Sequence, residues 1–393
     1  MAKTAITNAL VFDGHSLHKD LKVIFENGLI TSIDSSPDIS NITVVDGTGQ
    51  TLLPGLIDAH IHINNEPSAS LRLLQQLLHS GITTALDMGY LKSSVRETLR
   101  SHPDMTEILS ASNFATSTGS IHSRFPHTSV SSLIDSPSAA VEFVSDRVAE
   151  GADYIKIIAD IPGPTQEVVN TLASEAKKAG KLSVAHAARK AAWAMAQEGK
   201  VDIITHVPSD FPLDEEACNK MVKEGRVCIP TLIMAQTMAS SKFIPGLKYE
   251  SAKESVMRLH RAGVKILAGT DANQSPFAAV KYGAGLWEEL ELLVEAGLSC
   301  EETLRAATSL PAECFPMLGN RGVIAGGKRA DLLLVEGNPV VDIKAVREVR
   351  RVWIGGVEVD LKVSVPREAL GTKLANLFFW VRLLLYIIKA KYF

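Results

Sequence analysis

The segment TLLPGLIDAHIH, residues 51–62, is an apolar run that ends in two histidines separated by one residue. The composition of residues 56–61 predicts a buried strand, along which side chains alternate between the two faces. We therefore expect His60 and His62 on the same side of this strand. Because imidazole is a common ligand of zinc and of other divalent transition metals, these two histidines can bind one ion together.

Seven further apolar segments follow this strand, and helical patterns lie between most of them. The later predicted strands are residues 82–88, 107–111, 154–158, 182–186, 202–206, 226–230 and 264–270. The predicted helices are residues 68–79, 138–150, 166–179, 189–199, 214–224 and 249–262. This alternation predicts a parallel sheet, and eight strands can close a (β/α)8 TIM barrel. A doubly wound open sheet is the alternative, but no GxGxxG motif follows these strands, which disfavours its dinucleotide-binding form.

Both ends of the chain lack this alternation and show short apolar runs separated by turn signals such as Asp13-Gly14 and Gly355-Gly356. Such runs predict β-strands joined by tight turns, among them strands at residues 5–12 and 346–354. We therefore predict an α/β protein of three parts. Residues 1–55 and 325–370 would form a composite β-sandwich domain, residues 56–324 a TIM barrel, and residues 371–393 an apolar helical tail.

Metal-binding side chains recur at or near the carboxyl ends of the predicted barrel strands. They are His60, His62, Lys156, His186, His206 and Asp271. Barrel enzymes build their active sites at this end, so we expect these residues to converge on one site. His186 and His206 can bind a second ion. Asp271 can bind an ion and accept a proton from bound water, whose pKa a metal ion lowers to about 7.

Lys156 lies in an otherwise apolar strand, where a lysine is costly unless it is paired or modified. Burial lowers the pKa of a lysine, and a neutral amine can react with CO2. The product is a carbamate, an anionic oxygen ligand that can bridge two metal ions. Lys156 can therefore carry a CO2-derived carbamate, and a paired lysine or one whose amine reaches solvent is the alternative.

Five segments resemble the amidohydrolase superfamily, namely residues 51–62, 185–210, 229–234, 266–272 and 304–343. The resemblance extends over roughly residues 1–365 and is strongest to the imidazolonepropionase-like and prolidase-like branch, whose members carry a carboxylated lysine at a binuclear metal site. This branch includes ochratoxin-type amidases.

The resemblance implies two zinc ions (Zn2+) per chain, although other divalent metals are compatible. His60, His62 and Asp271 would bind the more buried ion, His186 and His206 the other, and carboxylated Lys156 would bridge the two. A bridging hydroxide would hydrolyse an amide bond, with Asp271 carrying the proton. The expected substrate is a small molecule such as an N-acyl amino acid, a dipeptide or a cyclic amide. Lactone or ester hydrolysis and metal-assisted decarboxylation are the alternatives.

Two departures from the family pattern concern the site. Relatives commonly have Glu-His at the end of strand six, where this chain has Thr205-His206. Relatives also often have a Gly-Gly-His loop after strand three, where this chain reads STGSIHSRFPH, residues 117–127. His122 is the nearest match to the family histidine, and we expect it to bind substrate together with Arg124.

The composition excludes some partners. The net charge of −4 and the scattered lysines and arginines argue against a nucleic-acid partner. Four cysteines without CxxC spacing suit a reducing compartment, and residues 1–14 lack the apolar core of a secretory signal, so we expect a cytoplasmic protein. The apolar tail at residues 371–393 predicts either packing on the barrel or a second subunit, or peripheral membrane contact. A homo-oligomer is therefore expected.

Overall fold

The computed structural model describes residues 3–40, 42–125, 128–241, 246–275, 278–363 and Val381. Its first part is composed mainly of strands: β1 (Thr4–Thr7), β2 (Leu10–Phe12), β3 (Leu17–His18), β4 (Lys22–Glu26), β5 (Leu29–Asp34), β6 (Thr43–Asp46) and β7 (Gln50–Pro54). The last strands are β17 (Leu332–Glu336), β18 (Val349–Ile354) and β19 (Val357–Glu358).

Strands and helices alternate in the middle of the chain, as predicted. The elements up to residue 198 are β8 (Leu56–Ile61), α1 (Pro67–His79), β9 (Ile82–Asp87), α2 (Ser93–Arg100), β10 (Glu107–Ser110), β11 (Phe114–Ala115), α3 (Pro137–Ala149), β12 (Ile155–Ile158), α4 (Gln166–Lys178), β13 (Ser183–His186) and α5 (Lys190–Glu198). The following elements are β14 (Ile203–Thr205), α6 (Glu215–Lys223), β15 (Val227–Ile229), α7 (Leu232–Ser240), α8 (Tyr249–Ala262), β16 (Lys265–Ile266), α9 (Ala284–Glu295), α10 (Cys300–Ala306) and α11 (Ser309–Cys314).

Helix boundaries follow local capping chemistry. Helix α1 begins at Pro67, and the side chain of the preceding Glu66 accepts hydrogen bonds from two amides of the first turn. Ser299 and Glu302 form a capping box at the start of α10. Helix α8 ends at Gly263, whose φ of 88° suits glycine in the left-handed region.

The strands at the two ends of the chain share one six-stranded sheet. Its order is β19-β18-β17-β7-β2-β3, so the last strands pair with β7 from the first part of the chain. A four-stranded sheet has the order β5-β4-β1-β6. One buried apolar cluster includes side chains of both sheets, such as Phe25 from β4 and Trp353 from β18, whose ring centroids lie 5.9 Å apart.

The middle of the chain forms two parallel sheets, with strand orders β10-β9-β8 and β11-β12-β13-β14-β15-β16. Strands β10 and β11 follow one another closely, and Ser112 between them has a φ of 60°, which interrupts the strand. At the other side, Ala59 of β8 donates to the main-chain oxygen of Ala268, and His62 donates to that of Ala272. Hydrogen bonds therefore join β8 to the segment after β16. The regular strands nevertheless form two separate sheets and not one closed barrel in the described part of the chain.

Both faces of the parallel strands are buried, and alternate residues enter different apolar clusters. In β15, Val227 and Ile229 pack in one cluster and Cys228 in the other. In β12, Ile155 and Ile157 both belong to the larger cluster, so the side chain of Lys156 between them points to the opposite face. The alternation thus directs this lysine away from the layer of helices.

Several predicted strand boundaries differ from the observed ones. The predicted strand at residues 264–270 is regular only over β16, because the residues that follow bond irregularly to β8. The predicted strand at residues 5–12 is split into β1 and β2 by Asn8, which has a φ of 60°. A 3-10 helix at Ile343–Arg347 replaces the start of the strand predicted at residues 346–354.

The predicted helical tail at residues 371–393 lies outside the described residues, except for Val381. Within the part of the chain that the structure describes, no helix has the length and apolar character needed to cross a membrane.

Candidate metal centre

The six predicted metal ligands lie where the parallel strands end. His60 is in β8 and His62 follows that strand directly, Lys156 is in β12, and His186 is the last residue of β13. The other two residues follow regular strands. His206 comes directly after β14, and Asp271 lies beyond β16 with a φ of 58°.

Asp271 faces three of the histidines. Its Oδ1 atom lies 3.3 Å from Nε2 of His60 and 3.0 Å from Nε2 of His62. Its Oδ2 atom lies 3.9 Å from Nε2 of His206. Burial alone would raise the pKa of Asp271, but the neighbouring imidazoles lower this pKa well below its usual range. The carboxylate is therefore ionised, with Oδ1 beside the ring nitrogens of His60 and His62 and Oδ2 nearer that of His206.

Three of the histidines, His60, His186 and His206, are held in the neutral form that metals require. Burial lowers the pKa of His60 to about 3, and the charge of Lys156 acts in the same direction. Burial also lowers the pKa of His186 and of His206. Nδ1 of His186 lies 2.8 Å from Nε2 of His206, so these two rings meet through ring nitrogens. Neutral imidazoles in contact with one another are suited to sharing a cation.

Two threonine hydroxyls contact the opposite sides of these rings. Oγ1 of Thr205 lies 2.7 Å from Nδ1 of His60, and Oγ1 of Thr231 lies 2.6 Å from Nδ1 of His206. Each contact directs Nε2 of its histidine toward Asp271. Thr205 is the residue that departs from the family's Glu-His pattern, and its hydroxyl orients His60 from the end of β14.

Lys156 is buried, with 1% of its surface exposed, and its Nζ has no hydrogen-bond partner among the described residues. Burial lowers the pKa of Lys156 to about 7, so a neutral amine is available near neutral pH. Nε2 of His60 is likewise buried, and its contact with Oδ1 of Asp271 at 3.3 Å does not have the geometry of a hydrogen bond. The unpartnered buried amine of Lys156 is costly in the metal-free protein, and metal ions with a carbamate would satisfy both Lys156 and His60.

Two buried carboxylates support the strand ends. Asp58 accepts hydrogen bonds from the amide and hydroxyl of Thr270 and from the amide of His60, so it joins β8 to the segment that carries Asp271. Asp87 accepts from the amide of Ile63 and from the hydroxyl of Ser110. Burial raises the pKa of Asp58 to about 7 and that of Asp87 to about 6.

The loop after β11 brings His122 to this site but leaves Arg124 exposed. Nδ1 of His122 lies 2.6 Å from Oδ2 of Asp160, and Oδ1 of the same carboxylate lies 3.6 Å from Nε2 of His186. Asp160 was not among the predicted site residues. Asp160 lies two residues beyond the end of β12, where barrel enzymes place functional groups. This position in the sequence could have identified it as a site residue.

The arrangement has the parts needed for hydrolysis assisted by metal ions. Neutral imidazoles, an ionised carboxylate and an amine that can form a carbamate meet at one end of the parallel strands. His122 and Asp160 lie at the side of this cluster. The structure brings together His60, His62, His186, His206 and Asp271 as the sequence predicts, while Arg124 stays at the surface.

The amidohydrolase family model matches residues 51–359, which is most of the chain. Ochratoxinase of Aspergillus niger is 27% identical over 235 residues, which cover 53% of this chain and 47% of ochratoxinase. The chain therefore spans about half the length of this relative. Imidazolonepropionase of Idiomarina loihiensis is 22% identical over 418 residues, which cover 91% of this chain and 96% of that enzyme.

A solved prolidase structure in complex with N-methylphosphonate-L-proline is also similar to this chain. Its TM-score is 0.77 at 25% identity, and the alignment covers 91% of this chain and 99% of the prolidase. The relatives match the branch indicated by the sequence motifs, which contains ochratoxinase, imidazolonepropionase and prolidase-like proteins.

Proposed function

The chain belongs to the amidohydrolase family, and from this membership we propose that it is a metal-dependent hydrolase that cleaves an amide bond in a small molecule. N-acyl amino acids, dipeptides and cyclic amides are the proposed substrate classes. The observation that carries the proposal is the meeting of His60 and His62 on one carboxylate oxygen of Asp271, next to the unpartnered amine of Lys156.

These residues would hold two divalent ions, for which we propose zinc. His60, His62 and Asp271 would bind one ion, His186 and His206 the other, and Lys156 would contact both as a carbamate. When bound, the ions would lower the pKa of water and polarise the substrate carbonyl. His60 is already neutral and Asp271 is already ionised, so neither residue has to lose a charge-bearing proton before it binds metal.

Asp271 would move the proton during the reaction. Its carboxylate is ionised, and its Oδ2 lies farther from the ring nitrogens than Oδ1 does. This oxygen would accept the proton of the attacking water and deliver it to the leaving nitrogen. His122 would bind the substrate at the side of the cluster, where Asp160 fixes the orientation of its ring.

We further propose that the two parallel sheets form one barrel, with eight strands when β10 and β11 are counted as one interrupted strand, and that the two terminal sheets form a sandwich. The bonds from β8 to Ala268 and Ala272 support the barrel, because they link the first strand to the segment after the last. The apolar cluster that contains both Phe25 and Trp353 supports the sandwich. Cytoplasmic location, self-association, and either packing or membrane contact by the tail stay predictions from the sequence.

The proposal is tested by an activity screen of the zinc-loaded protein. The panel contains N-acyl amino acids, dipeptides and cyclic amides, with matched esters and lactones beside them. We expect turnover of at least one amide that is lost on removal of metal and returns on its addition. Turnover of lactones or esters alone would overturn the amide assignment, and turnover that survives removal of metal would overturn the metal dependence.

A further inference from the structure

Three side chains from three consecutive strand ends form a second cluster beside the candidate pair site. His122 follows β11, Asp160 follows β12 and His186 ends β13. One potential ligand atom from each lies within 4.8 Å of the other two. We propose that this group binds a divalent cation of its own, in addition to the ions of the expected pair.

The composition and geometry of the cluster favour this assignment. Two imidazoles and one carboxylate are a donor set that zinc occupies in sites with an open position. The carboxylate of Asp160 lies between the rings, with Oδ2 2.6 Å from Nδ1 of His122 and Oδ1 3.6 Å from Nε2 of His186. Each of the three side chains is 17% exposed, so a cation can reach them from solvent.

The two ring nitrogens of His186 face different partners. Its Nδ1 faces Nε2 of His206 at 2.8 Å, and its Nε2 faces Asp160. A cation at Asp160 therefore leaves Nδ1 available to the expected pair.

The alternative is that hydrogen bonds alone hold this cluster together and that no cation binds there. In that case Asp160 would only accept hydrogen bonds and orient the two rings, as carboxylates behind metal-bound histidines often do. The two cases differ in the number of ions that the protein binds, since a carboxylate that only orients the rings adds none.

Occupancy of the cluster would affect the proposed hydrolysis. His122 would bind substrate, and a cation on its Nδ1 would take the ring away from that role. Excess zinc would therefore inhibit the enzyme. The inhibition rests on the proposed function, but the number of bound ions does not.

The test is the number of zinc ions bound per chain as free zinc is raised, measured with full-length protein at equilibrium. The variants are His122→Asn, which removes one ligand from a surface loop, and Asp160→Asn, with exposed His15→Asn as a matched control. We expect wild-type protein and His15→Asn each to bind one more zinc ion per chain than His122→Asn or Asp160→Asn. Equal numbers for the wild type and His122→Asn would overturn the inference.

Two further measurements separate this site from the expected pair. The variant His206→Asn should weaken an ion of the pair and keep the ion that depends on His122. Cobalt titration should give a visible absorption component in the wild type that His122→Asn lacks. If no variant of His60 or His62 changed metal binding, the proposed pair would fail, while the ion that depends on His122 could still be observed.

Discussion

The hydroxyl oxygen of Thr205 lies 2.7 Å from Nδ1 of His60, the ring nitrogen that points away from Asp271. This contact fixes the orientation of the ring and leaves Nε2 free to face the carboxylate. Thr231 has the same relationship to His206, at 2.6 Å. The departure from the family pattern at residue 205 therefore preserves a polar partner for a metal-binding histidine.

Replacement of Thr205 by valine should lower metal affinity by about 10- to 100-fold, because Nδ1 of His60 loses its partner. Competition with a chromophoric chelator measures this change. Thr205→Ser keeps the hydroxyl and should retain affinity close to that of the wild type. Wild-type affinity in the valine variant would show that this contact does not position His60.

Replacement of Lys156 by alanine should remove bound metal and activity, because the bridging carbamate cannot form. Short carboxylic acids should restore both, since they can supply an anionic oxygen in the vacated space. Metal analysis with and without the added acid gives the result. Full metal content in Lys156→Ala without any acid would refute the bridging role.

Lys156→Met fills the same space without an amine and has a separate expected effect on stability. In the metal-free protein, this change should raise the free energy of unfolding by roughly 1–3 kcal/mol, because a buried donor without a partner is removed. Chemical denaturation of metal-free protein measures the difference. A large loss of stability would mean that the amine has a stabilising partner in the folded protein.

Replacement of Asp271 by asparagine should lower kcat by about 10²–10⁴-fold, the range for removal of a general acid or base. The fold should survive, because asparagine has the same shape and can still accept hydrogen bonds. Circular dichroism and metal content are the controls for the kinetic measurement. An unchanged kcat would exclude Asp271 as the group that carries the proton.

Glu289 in α9 predicts a dependence of stability on pH that is separate from the metal site. Its buried carboxylate accepts hydrogen bonds from the amides of Leu232 and Ile233, at 2.9 and 2.7 Å, at the start of α7. Burial raises the pKa of Glu289 from 4.5 to about 8. Between these values the folded protein retains a proton that the unfolded chain has lost, so this contribution to stability declines as pH rises.

The variant Glu289→Gln cannot titrate and serves as the comparison. The stability of the wild type relative to this variant should fall as pH rises from about 4.5 to about 8, by about 1.4 kcal/mol for each unit of the pKa difference. Urea denaturation across this range measures the trend. A constant difference between the two proteins would show that the pKa of Glu289 is the same in both states.

The sequence was sufficient to predict most parallel strands and the convergence of the histidines with Asp271. Regular alternation and buried apolar runs identify a strand such as β8, and strand ends of a parallel sheet meet at one edge. The irregular backbone near Ser112 and beyond Ile266 could not be predicted, because it depends on hydrogen bonds to strands distant in sequence. The local sequence pattern does not identify those distant partners.

The role of Asp160 shows a second limit of the sequence. Its partners His122 and His186 are 38 and 26 residues away, and the order of the strands alone brings the three together. Arg124 is in the same loop as His122 but is exposed, so its contact with substrate stays a prediction. Neighbours along the chain share a loop, but the direction of each side chain is set by packing.

The central claim is that this site holds a pair of metal ions, and the most direct measurement is zinc per chain. Protein expressed with zinc and bicarbonate available would be dialysed to remove weakly bound metal and analysed by elemental mass spectrometry. We predict at least two zinc ions per chain after this dialysis, with loss of metal in Lys156→Ala. One ion per chain would contradict the bridged pair, and none after reconstitution would contradict a metal-dependent hydrolase.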